Sequence, residues 1–217
     1  VGLSLGADAE PEASHLARLR ELIRRTEPSI VSEHLAWSTW RGNFQPDLLP
    51  VPRTGEALRR LADNVLRTQD TLQRRILIEN PSHYLAINHD YDEISFLTSL
   101  VKRTDCGLLL DVNNVWVSAN NLGFNADAYI DAFPGDSVGE VHLAGHSADP
   151  ALGAKLLIDS HDAPVDPKVW QLYERLIARI GPRPTLIERD DQLPAFGELL
   201  RERAHAHALM HAALSAP

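Results

Sequence analysis

Six short segments of this 217-residue chain set imidazole, carboxylate and carboxamide groups close together. They are Ser32-Glu33-His34-Leu35, Glu79-Asn80-Pro81-Ser82, Asp111-Val112-Asn113-Asn114, His142-Leu143-Ala144-Gly145-His146, Asp159-Ser160-His161 and Glu188-Arg189-Asp190. In an extended strand, residues two apart point to one face. Asp111 and Asn113, Glu140 and His142, Asp159 and His161, and Glu188 and Asp190 therefore read as same-face pairs. Carboxylates aimed at one another in an enclosed space repel, and buried charge needs a counter-charge or a metal ion. Oxygen and imidazole donors without sulfur suit iron, manganese or zinc. So many donors point to two or more ions. Each segment also has a plainer reading. A lone histidine at a strand end can be a hydrogen-bonded structural residue, and Asp111 before two asparagines can cap a turn or a helix. Glu79 can be a solvated strand end, and Glu188-Arg189-Asp190 a surface ion-pair cluster worth little. The metal reading gains from coincidence, because all six segments fall where a strand ends.

The elements that must position these groups are legible as alternating apolar runs and amphipathic stretches. Candidate strands are Val1–Leu5, Ile30–Ala36, Arg75–Glu79, Gly107–Val112, Gly139–Leu143, Leu156–Asp159 and Thr185–Arg189. Candidate helices are Pro11–Arg25, Gly55–Leu72, Tyr91–Arg103, Ala126–Ala132, Lys168–Arg179 and Ala195–Ala213. In the second, Leu58, Leu61, Ala62, Val65 and Leu66 form one apolar face. Strands alternating with helices imply a parallel sheet with right-handed crossovers. The first run ends in Gly6-Ala7-Asp8 without the G-x-G-x-x-G of a dinucleotide-binding sheet. Polar residues at the carboxyl ends of the strands favour a closed (β/α)8 barrel, whose chemistry sits on that rim. Seven candidate strands against eight in a full barrel predict an N-terminally incomplete TIM barrel, with residues 1–217 as one domain.

Composition narrows the function. Asp and Glu number 30 against 21 Lys and Arg, a formal charge of −9. No basic footprint for a nucleic-acid backbone is present. No run approaches the ~20 apolar residues of a membrane span, and no signal sequence opens the chain. A cytoplasmic location is expected. The one cysteine, Cys106, excludes an internal disulfide and a thiolate zinc cage. It lies at a strand start, on the rim away from the candidate ligands, and reads as a small buried hydrophobe. Ser38–Thr54 is long for a strand-to-helix loop and carries Trp40, Phe44, Leu48 and Leu49. It reads either as a peptide grip or lid or as a packed surface loop.

The strings GLSLG (2–6), SEHLAWS (32–38), LIENPSHYL (77–85), GLLLDVNNVWVSANN (107–121), VGEVHLAGH (138–146), LLIDSHDAPV (156–165) and VWQLYERLIARIGPRPTLIERD (169–190) resemble one family over nearly the whole chain. It is the MbnB/TglH-like family of multinuclear iron enzymes, associated with methanobactin biosynthesis and related peptide modification. The resemblance implies a xylose isomerase-like TIM barrel holding two or three iron ions of mixed Fe2+/Fe3+ state. It implies dioxygen-using oxidation of cysteine in a ribosomally made precursor peptide, presented with the help of a small partner protein. The ligands it implies are His34, Glu79, Asp111, Asn113, His142, Asp159, His161 and Glu188, with Glu79 as a bridging carboxylate. Asn113, Asp159 and His161 would surround one iron, and His34 would bind another. Asp190 and His146 become acid/base candidates, and Trp37, Asn80, Asn114 and Trp116 candidate substrate contacts, Trp37 and Trp116 reading equally as core packing. Relatives carry a further N-terminal segment that supplies the first strand, the start of the second and a histidine ligand just before the GLSLG string, so one iron site is expected to be incomplete. The alternatives are a divalent-metal sugar isomerase or an endonuclease-like enzyme on the same scaffold, or a non-catalytic metal-binding fragment.

Overall fold

The computed structural model describes residues 2–215. They divide into two compact units, Val1–Pro81 with Ile87–Leu108, and Ser82–Ala86 with Leu109–Pro217. In the first unit the order is α1 (Ala13–Thr26), β1 (Ser32–His34), β2 (Ala36–Trp40), β3 (Asn43–Pro50), α2 (Gly55–Leu72), β4 (Leu77–Glu79) and α3 (Glu93–Thr104). β5 (Gly107–Asp111) leads into the second unit, which continues with α4 (Val112–Leu122), α5 (Ala126–Ala132), β6 (Val138–Ala144), β7 (Ser147–Asp149), β8 (Gly153–Ile158), α6 (Pro167–Ile180), β9 (Thr185–Glu188) and α7 (Phe196–Ser215).

In the first unit β1 and β4 run parallel, with His34 beside Glu79 in register. Helix α2 returns the chain between the hairpin and β4. The Thr54 hydroxyl caps it, accepting from the Ala57 N–H at 3.2 Å. Its face buries Leu58, Leu61, Ala62 and Val65. Leu66, expected on that face, is 39% exposed, since it falls one position past the stripe. The start of β4 is fixed by side chains. The Gln69 carboxamide donates to Thr104 O and accepts from the Ile76 N–H, while Arg75 donates to the carbonyls of Asp105 and Cys106. Cys106 is fully buried, and that burial pushes its thiol up.

Two expectations about this unit are corrected. Gly2–Leu5 forms turns instead of a strand, and Val1 lies outside the described residues. Ser4 adopts a left-handed φ of 51°, and its hydroxyl accepts from the N–H groups of Ser38 and Thr39. A side chain thus replaces the backbone ladder a strand would have made. The segment Ser38–Thr54, read as a loop, is largely the antiparallel hairpin β2–β3. Its two-residue turn, Arg41-Gly42, has positive φ at both positions (49° and 77°). That is the turn geometry that suits hairpin twist. The signal was weak because arginine stands where Asn or Asp usually marks such turns. Trp37, a candidate substrate contact, donates its indole N–H to Pro50 O across this hairpin at 2.9 Å.

In the second unit β6 and β9 are parallel, with Ala144 opposite Glu188. Helix α6 starts with Asp166 as its cap and Pro167 at its first position, and buries Val169, Leu172, Tyr173, Leu176 and Ile177. Of Leu156–Asp159, expected as a parallel strand, Leu156–Ile158 instead ends β8, which pairs antiparallel with β7, and Asp159 lies just past it. Its outer edge is met by a side chain. Asn121 on α4 accepts from the Leu157 N–H and donates to Leu157 O, doing the work of a neighbouring strand. Helix α4 went unread, because Val112–Leu122 follows β5 without a loop. Among the described residues no helix is long and apolar enough to cross a membrane.

Candidate metal centre

The second unit gathers Asp111, Asn113, His142, His146, Asp159, His161, Glu188 and Asp190. Asp111 closes β5 and is fully buried. Its Oδ1 accepts from the Asn114 N–H at 2.7 Å, so it caps α4. This corrects the reading of Asp111 and Asn113 as same-face strand neighbours. Asn113 and Asn114 are already helical, and the helix turn, not a pleat, directs Asn113. Asn114 is buried, while Trp116 is half-buried on α4.

Asn113 is fully buried and bridges two predicted groups. Its Nδ2 donates to Asp159 Oδ1 at 2.7 Å, and its Oδ1 lies 2.8 Å from His146 Nδ1. The carboxamide thus aligns Asp159 and His146. Burial pushes His146 below the ordinary histidine range, against the opposing pull of Asp166 and Asp159.

His161 is the hub. Its Nε2 lies 2.9 Å from Asp159 Oδ1, and its Nδ1 lies 3.2 Å from Asp190 Oδ2 and 3.4 Å from Glu188 Oε2. Glu188 Oε1 is also 3.3 Å from His142 Nδ1, and Glu140 Oε1 is 3.9 Å from His142 Nε2. Asp111, His161 and Glu188 each offer one donor atom, and the three atoms lie within 4.8 Å of one another. Burial works to lower the His161 pKa. The hydrogen bond and charge of Asp159, with the charges of Asp111 and Glu188, prevail and push it up to about 9. The cluster thus holds a surplus of negative charge that a proton or a cation must balance. The donor set is carboxylate and imidazole, a fit for a divalent or trivalent first-row metal.

The backbone that delivers His161 is strained. Its φ is 50°, a left-handed conformation that costs a non-glycine residue about 1–3 kcal/mol and persists where surroundings impose it. Here its N–H donates to Gly145 O, and its carbonyl accepts from the Asp190 N–H. Asp159 and His161 do meet as their spacing suggested, but through this turn and not along a strand. Gly145 makes the approach possible: a Cβ there would stand 2.0 Å from Ala163 O. Gly145→Ala is expected to push the 159–164 turn away, destabilising the protein by about 1–3 kcal/mol and weakening metal retention. Denaturant midpoints and metal content measured together check this. A variant with unchanged stability and metal binding would refute it.

In the first unit His34 and Glu79 stand side by side on β1 and β4, with Nε2–Oε2 at 3.2 Å. Glu33, which strand alternation turns away from His34, is nonetheless buried. It accepts from the N–H groups of Leu3 and His34, and its Oε1 is 3.7 Å from His34 Nδ1. Burial opposes its ionisation, but hydrogen bonding to His34 helps to hold its carboxyl below the ordinary range. Asn80 is buried beyond β4. The sequence reading missed Glu33, and also Tyr84, whose hydroxyl accepts from the Asp159 N–H at 3.0 Å. Neither has a spacing signal, since each acts on backbone that folds back to it.

The family described as RiPP precursor modification enzyme MbnB/TglH/ChrH matches residues 1–211. A UPF0276 protein of Caulobacter vibrioides is 60% identical over 211 residues, covering 97% of this chain and 75% of the relative. One from Paraburkholderia phytofirmans is 47% identical, covering 97% and 68%. Among solved structures, an IOLI protein with a bound zinc atom matches with a TM-score of 0.60 at 12% identity, covering 94% of this chain and 70% of that one. Endonuclease IV from Thermus thermophilus matches with a TM-score of 0.59 at 18% identity, covering 97% and 73%. D-psicose 3-epimerase from Clostridium cellulolyticum matches with a TM-score of 0.55 at 11% identity, covering 98% and 76%. The fold is accordingly α/β, of the xylose isomerase-like TIM-barrel class. Identities this low carry the fold and nothing of those proteins' chemistry.

Proposed function

The chain belongs to the MbnB/TglH/ChrH family of RiPP precursor modification enzymes, and we propose that it catalyses an iron-dependent, dioxygen-using oxidation of cysteine in a ribosomally made precursor peptide, working with a small partner protein. The observation that carries this reading is the convergence of Asp111, His161 and Glu188 on a common point, with His161 held strained among carboxylates. Ligands poised in this way suit a cation better than a merely structural ion-pair cluster. Asp111, His161 and Glu188 would hold one iron, with Asp159 and His142 at its margin. His34 and Glu79, with Glu33 behind them, would hold a further ion in the first unit. Iron held at these positions would supply a Lewis acid for a thiolate and a redox centre relaying electrons from the cysteine to dioxygen.

The remaining roles fall to the chain's own groups. Asn113 fixes the Asp159 carboxylate. Asp190, whose side chain is 77% exposed, presents Oδ2 beside His161 and can pass a proton between the site and solvent. His146, whose Nδ1 faces the Asn113 oxygen, can accept a proton at Nε2. The hairpin turn shows Trp40 and Phe44 to solvent, with the Arg41 guanidinium stacked 4.4 Å from the Trp40 ring. It offers an adaptable apolar contact for a peptide. Trp37, Asn80, Asn114 and Trp116 remain proposed substrate contacts, with Trp37 also fastening the hairpin. The −9 charge weighs against the nucleic-acid backbone as substrate.

The test is oxygen uptake by protein reconstituted anaerobically with ferrous iron. Uptake should require a cysteine-containing precursor peptide and vanish when that cysteine is replaced by serine. Uptake indifferent to the peptide, or protein that retains no iron, would overturn the reading.

A further inference from the structure

A largely covered ion pair lies behind the candidate ligands and takes no part in the chemistry above. Glu202 on α7 accepts from the Val165 N–H at Oε1 (2.8 Å) and from Arg189 Nη2 at Oε2 (3.2 Å). The two side chains are 15% and 6% exposed. Val165 ends the turn that presents Asp159 and His161. Arg189 sits between Glu188 and Asp190, both of which face His161 Nδ1. One carboxylate on one helix thus grips both ligand-bearing segments from behind.

We infer that Glu202 is the positioning residue of the Asp111/His161/Glu188 centre: it ties the 159–165 turn and the 188–190 segment to α7 and keeps the Arg189 cation away from the ligands. The inference rests on the metal reading of that centre. The physical argument has two parts. A guanidinium flanked in sequence by two proposed metal-facing carboxylates competes with any cation for them unless another anion neutralises it. Glu202 is that anion, and it approaches from the helix side. Its second oxygen fixes the far end of the His161 turn, so the separation of the two segments is set through a single rigid group. Groups that orient metal ligands in this way change metal affinity by about 10–100-fold when lost.

Cobalt(II) titration under anaerobic conditions, read by ligand-field absorption, tests the inference on the full chain. Glu202→Gln keeps an acceptor for the Val165 N–H but leaves Arg189 uncompensated. It should weaken cobalt binding by about tenfold or more and alter the absorption bands. Losing one member of a largely covered pair can also destabilise a protein, so a second variant is needed. Arg189→Met with Glu202→Leu replaces the pair by apolar bulk, which commonly leaves stability equal or higher. That protein should melt at or above the wild-type temperature yet still bind cobalt more weakly, with a changed spectrum. If the double variant binds with wild-type affinity and spectrum, the positioning role is refuted. Glu188→Gln serves as the control. Wild type that binds no better than this control overturns the metal reading and the inference together, whereas tight wild-type binding shared by both Glu202 variants overturns the inference alone.

Discussion

Asp111→Asn should remove metal from the proposed second-unit centre while leaving the protein folded. Asn and Asp cap helices about equally well, so the bond from the Asn114 N–H that starts α4 survives the exchange. What is lost is a fully buried negative charge among His161 and Glu188. Metal affinity should fall by more than the about 100-fold that marks loss of an outer partner. Metal-free stability should stay level or rise, because fewer like charges then converge. Asp111→Ala should lose affinity equally and in addition about 1 kcal/mol of stability, the ordinary worth of a cap. Metal content after dialysis, with chemical denaturation of both variants, separates the two roles. If Asp111→Asn retains metal as wild type does, Asp111 is a cap only.

The second large effect is a pH dependence centred on His161. Its folded pKa of about 9 lies above the ~6.5 of an unfolded histidine. A group raised in this way contributes stability that is complete below about pH 6.5 and lost as pH rises through about 9. The metal-free protein should therefore weaken across that window by about 1–3 kcal/mol, allowing for partial solvent screening. His161→Gln should be flat over the same range. Metal binding must displace this proton. Apparent metal affinity should thus rise about tenfold per pH unit up to pH 9 and then level off. Thermal melts of metal-free protein and cobalt titrations at several pH values check both limbs. An affinity independent of pH would show that His161 is not a ligand.

These expectations depend on features that differ in how far the chain announces them. The candidate donor residues stood out by type and position, and the family resemblance gathered them into one ligand set. Asp111, Asp159, His161 and Glu188 stand at or just past strand ends and His142 lies within the last residues of β6, where barrel proteins place chemistry. Helices α2 and α5 were legible to the residue, because amphipathic spacing and caps act over a few positions. Helix α4 was not, since nothing in Asp111-Val112-Asn113-Asn114 distinguishes a strand that stops from one that continues. The hairpin β2–β3 was read as a loop for a similar reason, its turn lacking the usual residues.

The amino-acid sequence by itself determined which chemistry is available: nitrogen and oxygen donors, no thiolate cage, an acidic surface and an alternating α/β order. Local propensity and charge settle those properties without reference to distant residues. The tertiary structure decided how the donors meet. His161 reaches Glu188 and Asp190 through a left-handed turn that only Gly145 leaves room for. Asn113 faces Asp159 from a helix, and Glu202 reaches back from α7 to hold two separate segments. Such contacts join residues tens of positions apart, and their geometry follows from close packing of backbones, which no local spacing encodes.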